Sequence, residues 1–342
     1  MLESVETPIK LEVLDDLTQL LTGFDSEWSQ FYAGAPQATP FQSPEWLLTW
    51  WRHFGSGQLQ IFTFRDEDKR LIGVIPCFLH KWNGRRQLTL VGSGISDYLE
   101  PLIDAIHRTP VLQRFEAYLR STDAWDICSW QDLSADSALA DIAGKGELGI
   151  QRKPDTPCLE IPLSRNFDEY WQARPSGLRR NVKRYSQKAA ELATLNFEHS
   201  ACYEPEYMEA LIRLHGLRWR EHGEQGMINA NRSGQFLRDV CQAFAGKKKL
   251  SFFVLRFQGV IAAVILGFSQ RKELFAYLSA FDPAYGAFGF GRILLYQALR
   301  HASCTGYSSW NFLRGDEPYK AEWGATPIKK LRVIVTRYGE AS

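Results

Sequence analysis

What this 342-residue chain lacks narrows its class first. It carries almost no net charge: 40 Lys and Arg against 39 Asp and Glu leave +1. A global basic field that would attract nucleic acid, DNA in particular, is therefore absent. Its six cysteines (Cys77, Cys128, Cys158, Cys202, Cys241 and Cys304) form no CxxC pair. Scattered thiols of this kind read as small apolar side chains in a reducing compartment, with neither a disulfide frame nor a metal site implied. The first residues, MLESVETPIK, show neither the basic nor the apolar stretch of a signal peptide. The longest apolar run, VIAAVILGF, is half the length that crosses a bilayer. Internal repeats and low-complexity tracts are missing as well. The expectation is a cytoplasmic protein with no transmembrane segment.

What is present suits folded domains. A 45% hydrophobic fraction with 13% aromatics is ample for packed cores. The length exceeds one ordinary core, so two domains are expected. The polar stretch QDLSADSALADIAGKGE and the loop QRKPDTP weaken the pattern near residue 155, which places the boundary between 1–154 and 155–342.

Periodicity then supplies the elements. DDLTQLLTGFDSEWSQFY has helical spacing after an aspartate cap, and SPEWLLTWWRHF starts with Ser43 as cap and Pro44 in the first turn. In that helix Trp46 and Trp50 share the core stripe, which leaves Trp51 to face outward. LQIFTFRDEDKRLIGVIPCFLH reads as a hairpin turning at Asp66 to Lys69; RQLTLVGS and AWDICSW read as strands around a helix, PVLQRFEAYLRS. In the second half CLEIPL is a strand, and the basic helix PSGLRRNVKRYSQKAAEL precedes the strand LNFEHS. Two helices follow, then the strands KLSFFVLRF, VIAAVILGFS and ELFAYLSAF. A glycine-rich junction with its helix, the strand YSSWNFL, the short helix DEPYKAEW and the strand IKKLRVIVTRY close the chain. Both halves read as α/β, each a mixed, mostly antiparallel sheet flanked by helices.

The junction FDPAYGAFGFGRILLYQALR carries the first chemical hint. Gly289 and Gly291 lack a β-carbon, so their backbone can approach a ligand closely. The helix that begins near Arg292 presents unpaired N–H groups and a partial positive charge. Such a junction is either a tight structural turn or a cradle for a phosphate.

Three stretches in order, LHGLRWREHG, FDPAYGAFGFGRILLYQAL and NFLRGDEPYKAEWG, resemble the GNAT superfamily of N-acetyltransferases. Within it the chain is most similar to the acetyltransferase family that includes the cellulose-biosynthesis protein CelD and related polysaccharide-locus proteins. FQSPEWLLTWWRHFG and GSGISDYLEPLI in the first half resemble the same family, so the likeness spans about residues 40 to 325. It implies two tandem GNAT-like domains, as in the Fem peptidyltransferases, with the donor site in the second. It also implies acetyl-coenzyme A or another acyl-coenzyme A as co-substrate, held by the loop Phe288, Gly289, Phe290, Gly291 and Arg292. In the superfamily that loop usually starts with Gln or Arg; here Gly286 stands in that slot.

Acyl transfer from a thioester needs deprotonation of the acceptor, a polarised carbonyl and a protonated leaving thiol. With no Ser-His-Asp pattern, direct attack in a ternary complex is the simplest route. Tyr319 in GDEPYK is the candidate acid, where the superfamily often places a tyrosine by the thiol; the alternative is a tyrosine packing helix to sheet. Asp316 and Glu317 are candidates for catalysis and acceptor binding, or else cap that short helix. Lys320 is a candidate for a phosphate or carboxylate. His215 is the candidate base, since its ordinary pKa lies near neutrality. Trp219, four residues on, shares its helix face and suits a sugar-stacking wall. Arg180, Arg184 and Lys188 recur every four residues beside Arg179 and Lys183, a stripe for a phosphate-bearing acceptor or a plain solvated face. Asp97 and Tyr98 in GSGISDYLEPL are acceptor candidates on a loop that the tandem fold would bring toward a cleft; a turn capped by the aspartate is the other reading.

The expectation is an acyltransferase acting on a hydroxyl or amine of a small molecule or saccharide. A Fem-like enzyme using aminoacyl-transfer RNA is the alternative, disfavoured by the neutral total charge. A non-catalytic saccharide- or partner-binding module is the third.

Overall fold

The computed structural model describes residues 9–21, 26–144, 148–221 and 232–337. The first part of the chain forms β1 (Lys10–Leu14), α1 (Thr18–Leu21), α2 (Glu27–Gly34), α3 (Pro44–Phe54), β2 (Gln58–Arg65), β3 (Leu71–Trp82) and β4 (Arg85–Leu90). Then come β5 (Leu102–Ile103), α4 (Arg108–Ser121), β6 (Ile127–Ser134) and β7 (Leu148–Pro162). The second part begins with α5 (Phe167–Gln172), α6 (Ser176–Leu192), β8 (Leu195–Ser200), α7 (Pro205–Glu221) and α8 (Arg232–Ala245). It ends with β9 (Leu250–Phe257), β10 (Val260–Gln270), β11 (Glu273–Phe281), α9 (Phe290–Cys304), β12 (Ser309–Arg314), α10 (Pro318–Glu322) and β13 (Thr326–Arg337). Among the described residues no helix is long and apolar enough to cross a membrane.

Two compact units emerge. One holds the residues up to Thr156 together with those from Lys329 on; the other is Pro157–Ile328. The last strand, expected with the second half, thus counts with the first. Its physical reason is pairing: β13 runs antiparallel to β6, Leu331 opposite Leu133 and Val335 opposite Cys128. Val333 and Val335 are fully buried in the first unit's core with Phe62, Phe115 and Trp130.

In the first unit the strand order is β1-β2-β3-β4-β6-β13, with β5 beside β3. Only the β4–β6 pair among these is parallel, and α4 makes the crossover between them. Local chemistry builds these elements as the sequence implied. Ser43 caps α3, its Oγ accepting the Trp46 amide at 3.2 Å. Trp46, Leu47 and Trp50 point inward from that helix, while Trp51 is half-buried against Phe78. The β2–β3 turn is closed by Asp66, whose carboxylate accepts both the amide and the guanidinium of Arg70. The stretch after β1 gives two helices in place of one: Asp16 accepts the Thr18 amide, and Ser26 caps α2 separately.

One expectation fails outright. QRKPDTP, read as a loop, lies inside β7. Pro154 and Pro157 suppress the strand signal, yet a proline is tolerated wherever the ladder does not require its missing N–H. The Pro157 carbonyl accepts the Gly315 amide at 3.1 Å, and Cys158 pairs with Arg314.

The second unit's order is β7-β12-β11-β10-β9-β8. Its pairs are antiparallel apart from β11–β12, which are parallel and joined through α9. α9 buries Phe290, Ile293, Leu294, Ala298 and Leu299, a helical stripe set into a core with Phe253, Trp310 and Trp323. Each fully buried aromatic contributes roughly 2–3 kcal/mol of transfer free energy.

Candidate active site

The two parallel strands of the second unit begin together and then part. β11 and β12 pair at Glu273–Ser309, Leu274–Trp310 and Phe275–Asn311, and pairing ends there although β11 runs on to Phe281. Both strands bend at that level. β11 carries an extra residue, Tyr277, against β10, because Leu266 faces Leu278 while Gly267 faces Ala276. β12 carries one against β7, because Asn311 faces Glu160 while Arg314 faces Cys158. In that second bulge Leu313 adopts φ 60°, and Asn311 Oδ1 accepts its amide at 2.8 Å. Bulges bend and twist a strand, so the strands open toward their carboxyl ends. In open α/β sheets that end is where ligands bind.

The mouth of α9 lies at the end of β11. Asp282 starts the turn by accepting the Ala284 amide at 3.0 Å. Gly289 closes it with φ 60° and serves as N-cap of α9, which has no side-chain cap. The amides of Arg292 and Ile293 return to the Gly289 carbonyl at 2.9 and 3.1 Å. Those of Phe290 and Gly291 open the helix, the positive end of its dipole. Glycine is required at 289, where a β-carbon would come 2.5 Å from the Tyr185 ring, and favoured at 291, where one would lie a tight 3.2 Å from Phe281. Close approach of a ligand was the reason inferred from sequence; protein side chains occupy those two directions instead. The open direction is at exposed Gly286, where a β-carbon would meet nothing within 4 Å. The Phe290 side chain is core, and half-buried Phe288 stacks on it at 5.5 Å. An uncapped helix mouth beside an open slot fits a diphosphate.

α10 sits against this mouth. Arg292 Nη1 pairs with Glu322 Oε2 at 2.9 Å, across 30 residues of sequence. Tyr319 lies three residues before Glu322, hence on the same face of α10, and is exposed, with Phe312 edge-on at 6.1 Å. The helix is pinned at that same carboxyl end, where the Trp323 carbonyl accepts from Tyr170 Oη at 2.6 Å and Arg174 Nη1 at 3.1 Å. Burial pushes the Tyr170 phenol well above its ordinary range, so it stays a neutral donor.

Lys320 departs from expectation. Its side chain is only 3% exposed, and its ammonium is committed to Glu317 Oε2 at 2.8 Å and to the Arg314 and Gly315 carbonyls at 3.1 Å each. It fixes the loop and does not face a ligand. Glu317 is thereby the partner of Lys320; it stands at the N-cap of α10 without a side-chain cap bond. Asp316 is exposed on the same loop.

The remaining candidates separate. His215 is 6% exposed on α7, the helix that covers β10 and β11, so it is a packed histidine and not part of an open wall. The Trp219 side chain lies outside the described residues. Tyr98 is a core residue of the first unit: Phe41 stacks on it, and Lys330 Nζ sits 3.7 Å from its ring centroid. Asp97 beside it is half-buried. Arg180 and Arg184 are exposed on α6 as the stripe implied, Arg184 bonding Asn181 at 3.2 Å. Sequence reasoning missed Tyr185 and Glu322. The first carried no signal beyond an aromatic in a basic helix, and the second none at all.

Comparison with known proteins agrees with this geometry. Residues 176–321 match the acetyltransferase (GNAT) domain. No curated protein sequence matches the chain. Among solved structures it is similar to FemX, at 11% identity over 94% of this chain and 96% of that one, with TM-score 0.65. It is also similar to L-PGS from Bacillus licheniformis, at 12% identity over 87% and 93%, with TM-score 0.55. A tandem GNAT protein from the clavulanic acid biosynthesis pathway matches at 11% identity over 98% and 100%, with TM-score 0.51. The GNAT match spans α6 through most of α10, and so includes the parting strands and the α9 mouth. The likenesses show the tandem GNAT fold over nearly the whole chain; at these identities they say nothing of the acceptor.

Proposed function

We propose that this protein is an acyl-coenzyme A-dependent acyltransferase whose donor site is the α9 mouth and the opening between β11 and β12. The observation that carries this reading is the separation of two parallel strands, bent by paired bulges, at an uncapped helix N-terminus inside the GNAT-matched segment. When bound, acyl-coenzyme A supplies an activated thioester. The amides of Phe290 and Gly291 would hold its diphosphate. The opening between strands suits the extended, amide-bearing arm, as an added strand would fit. Tyr319 Oη is the group we assign to protonate the departing sulfur, since it is exposed on the helix tied to α9 through Glu322. Positioning of the acceptor supplies much of the remaining rate.

The acceptor we infer is a hydroxyl or amine on a saccharide; the resemblance of the motifs to polysaccharide-locus proteins supports this. The exposed stripe of Arg180 and Arg184 favours an acceptor that bears phosphate. That same stripe is the observation that keeps an aminoacyl-transfer RNA donor as the second reading.

Calorimetric titration with acetyl-coenzyme A tests the site. Binding is expected with the unaltered protein and should be lost in Gly286→Glu, which sets a carboxylate in the open slot beside the helix mouth without meeting another group; circular dichroism checks that the variant folds. No binding to the unaltered protein, with transfer RNA retained, would replace the first reading by the second.

A further inference from the structure

We infer that Lys188, reaching over from α6, and not Arg292 on α9 itself, is the cation that neutralises the donor diphosphate. The inference rests on the donor site proposed above. Three observations converge on it. First, Gly286 stands bare and exposed on the loop, with nothing within 4 Å of a β-carbon placed there, so that position contributes no charge. Second, the one cation within the loop, Arg292, is already bound to Glu322 at 2.9 Å, so its charge is largely compensated. Third, α6 lays one face on the loop at two points. Tyr185 packs against Gly289, and three residues on, Lys188 Nζ stands 4.8 Å from the ring centroid of Phe288.

Lys188 is exposed and makes no ion pair among the described residues. An ammonium over an aromatic face is held in place at little desolvation cost. A compact charge on a flexible stem can serve a diphosphate as a point charge. Phe288 thus acts as a pedestal: stacked on the buried Phe290 ring, it holds the lysine on this face of the loop. The half-exposed carboxylate of Glu322 opposes anion binding and makes the lysine's contribution more necessary.

The test is equilibrium binding of acetyl-coenzyme A and of 3′-dephospho-coenzyme A, measured by calorimetry. Lys188→Gln should weaken both by about tenfold, while Lys188→Arg keeps most of the affinity and Arg292→Gln changes it less than Lys188→Gln does. Unchanged affinity in Lys188→Gln overturns the assignment, as does a loss that disappears with the dephospho compound, which would move the lysine to the 3′-phosphate. A larger loss in Arg292→Gln also overturns it. If the unaltered protein binds no acetyl-coenzyme A, the donor site falls and this assignment falls with it; binding that survives Lys188→Gln removes the lysine alone.

Discussion

Lys320 and Tyr319 are neighbours in sequence with opposite fates. One residue of α10 is 3% exposed by side chain and spends its three donors on the chain itself; the other is exposed and faces outward. A helix rotates successive side chains by about a quarter turn or more, so adjacent residues cannot share a face, and of the two only Tyr319 is exposed. Tyr319→Phe should lower turnover by about 100-fold or more while leaving the acetyl-coenzyme A dissociation constant within about twofold. Steady-state kinetics beside calorimetry reads both quantities, and unchanged turnover would remove the phenol from the reaction. The motif GDEPYK was legible in the sequence, but the division of labour inside it was not. Nothing local distinguishes a buried lysine from a solvated one until the carbonyls it caps, at Arg314 and Gly315, are placed.

At the scale of elements, α9 does two jobs. Its amino end forms the candidate donor site, and its last turn carries His301, whose ring packs at a tilt against His199 of β8, 4.2 Å between centroids. Burial, and then the neighbouring imidazole, push His199 down to about 4; burial lowers His301 as well. Both rings therefore favour the neutral form in the folded state, while the unfolded chain takes up protons near the ordinary value of 6.5. Folding stability is fully present above about pH 6.5 and is lost as pH falls from there toward 4. Because His199 is partly exposed, the loss expected from it is on the order of 1 kcal/mol. Thermal unfolding between pH 7 and pH 4.5 checks this: His199→Phe, which keeps the ring contact with Phe253, should flatten the pH dependence. An equal slope in both proteins would exclude the pair as its source. The helices and hairpins of both units were readable from apolar period and caps. The first half of β7 was not: Pro154 and Pro157 hide it, and only its second half, CLEIPL, which pairs with distant β12, read as a strand.

The whole molecule holds two units between which the chain passes twice, at Thr156 and again at Ile328. The return of β13 makes the first unit depend on residues that follow the second unit in sequence. Truncation after Ile328 should expose β6 and remove Val333 and Val335 from the core, at a cost of roughly 1.5–3 kcal/mol for each buried valine. Hydrogen exchange at the β6 amides should then rise many-fold while that of β9 and β10 stays near its original rate. Unchanged protection of β6 would show that β13 is dispensable. The sequence by itself determined most element types, the cap at Ser43 and the order of strands and helices that marks the GNAT fold. Those features follow from residues within a turn or two of one another. Only the tertiary structure decided that Glu322 holds Arg292, that Lys188 stands over Phe288, that Tyr98 and His215 are packing residues and that the final strand belongs to the first unit. Each joins groups between 30 and about 230 residues apart, or depends on which face a finished element buries, and no local preference of the chain encodes such a meeting.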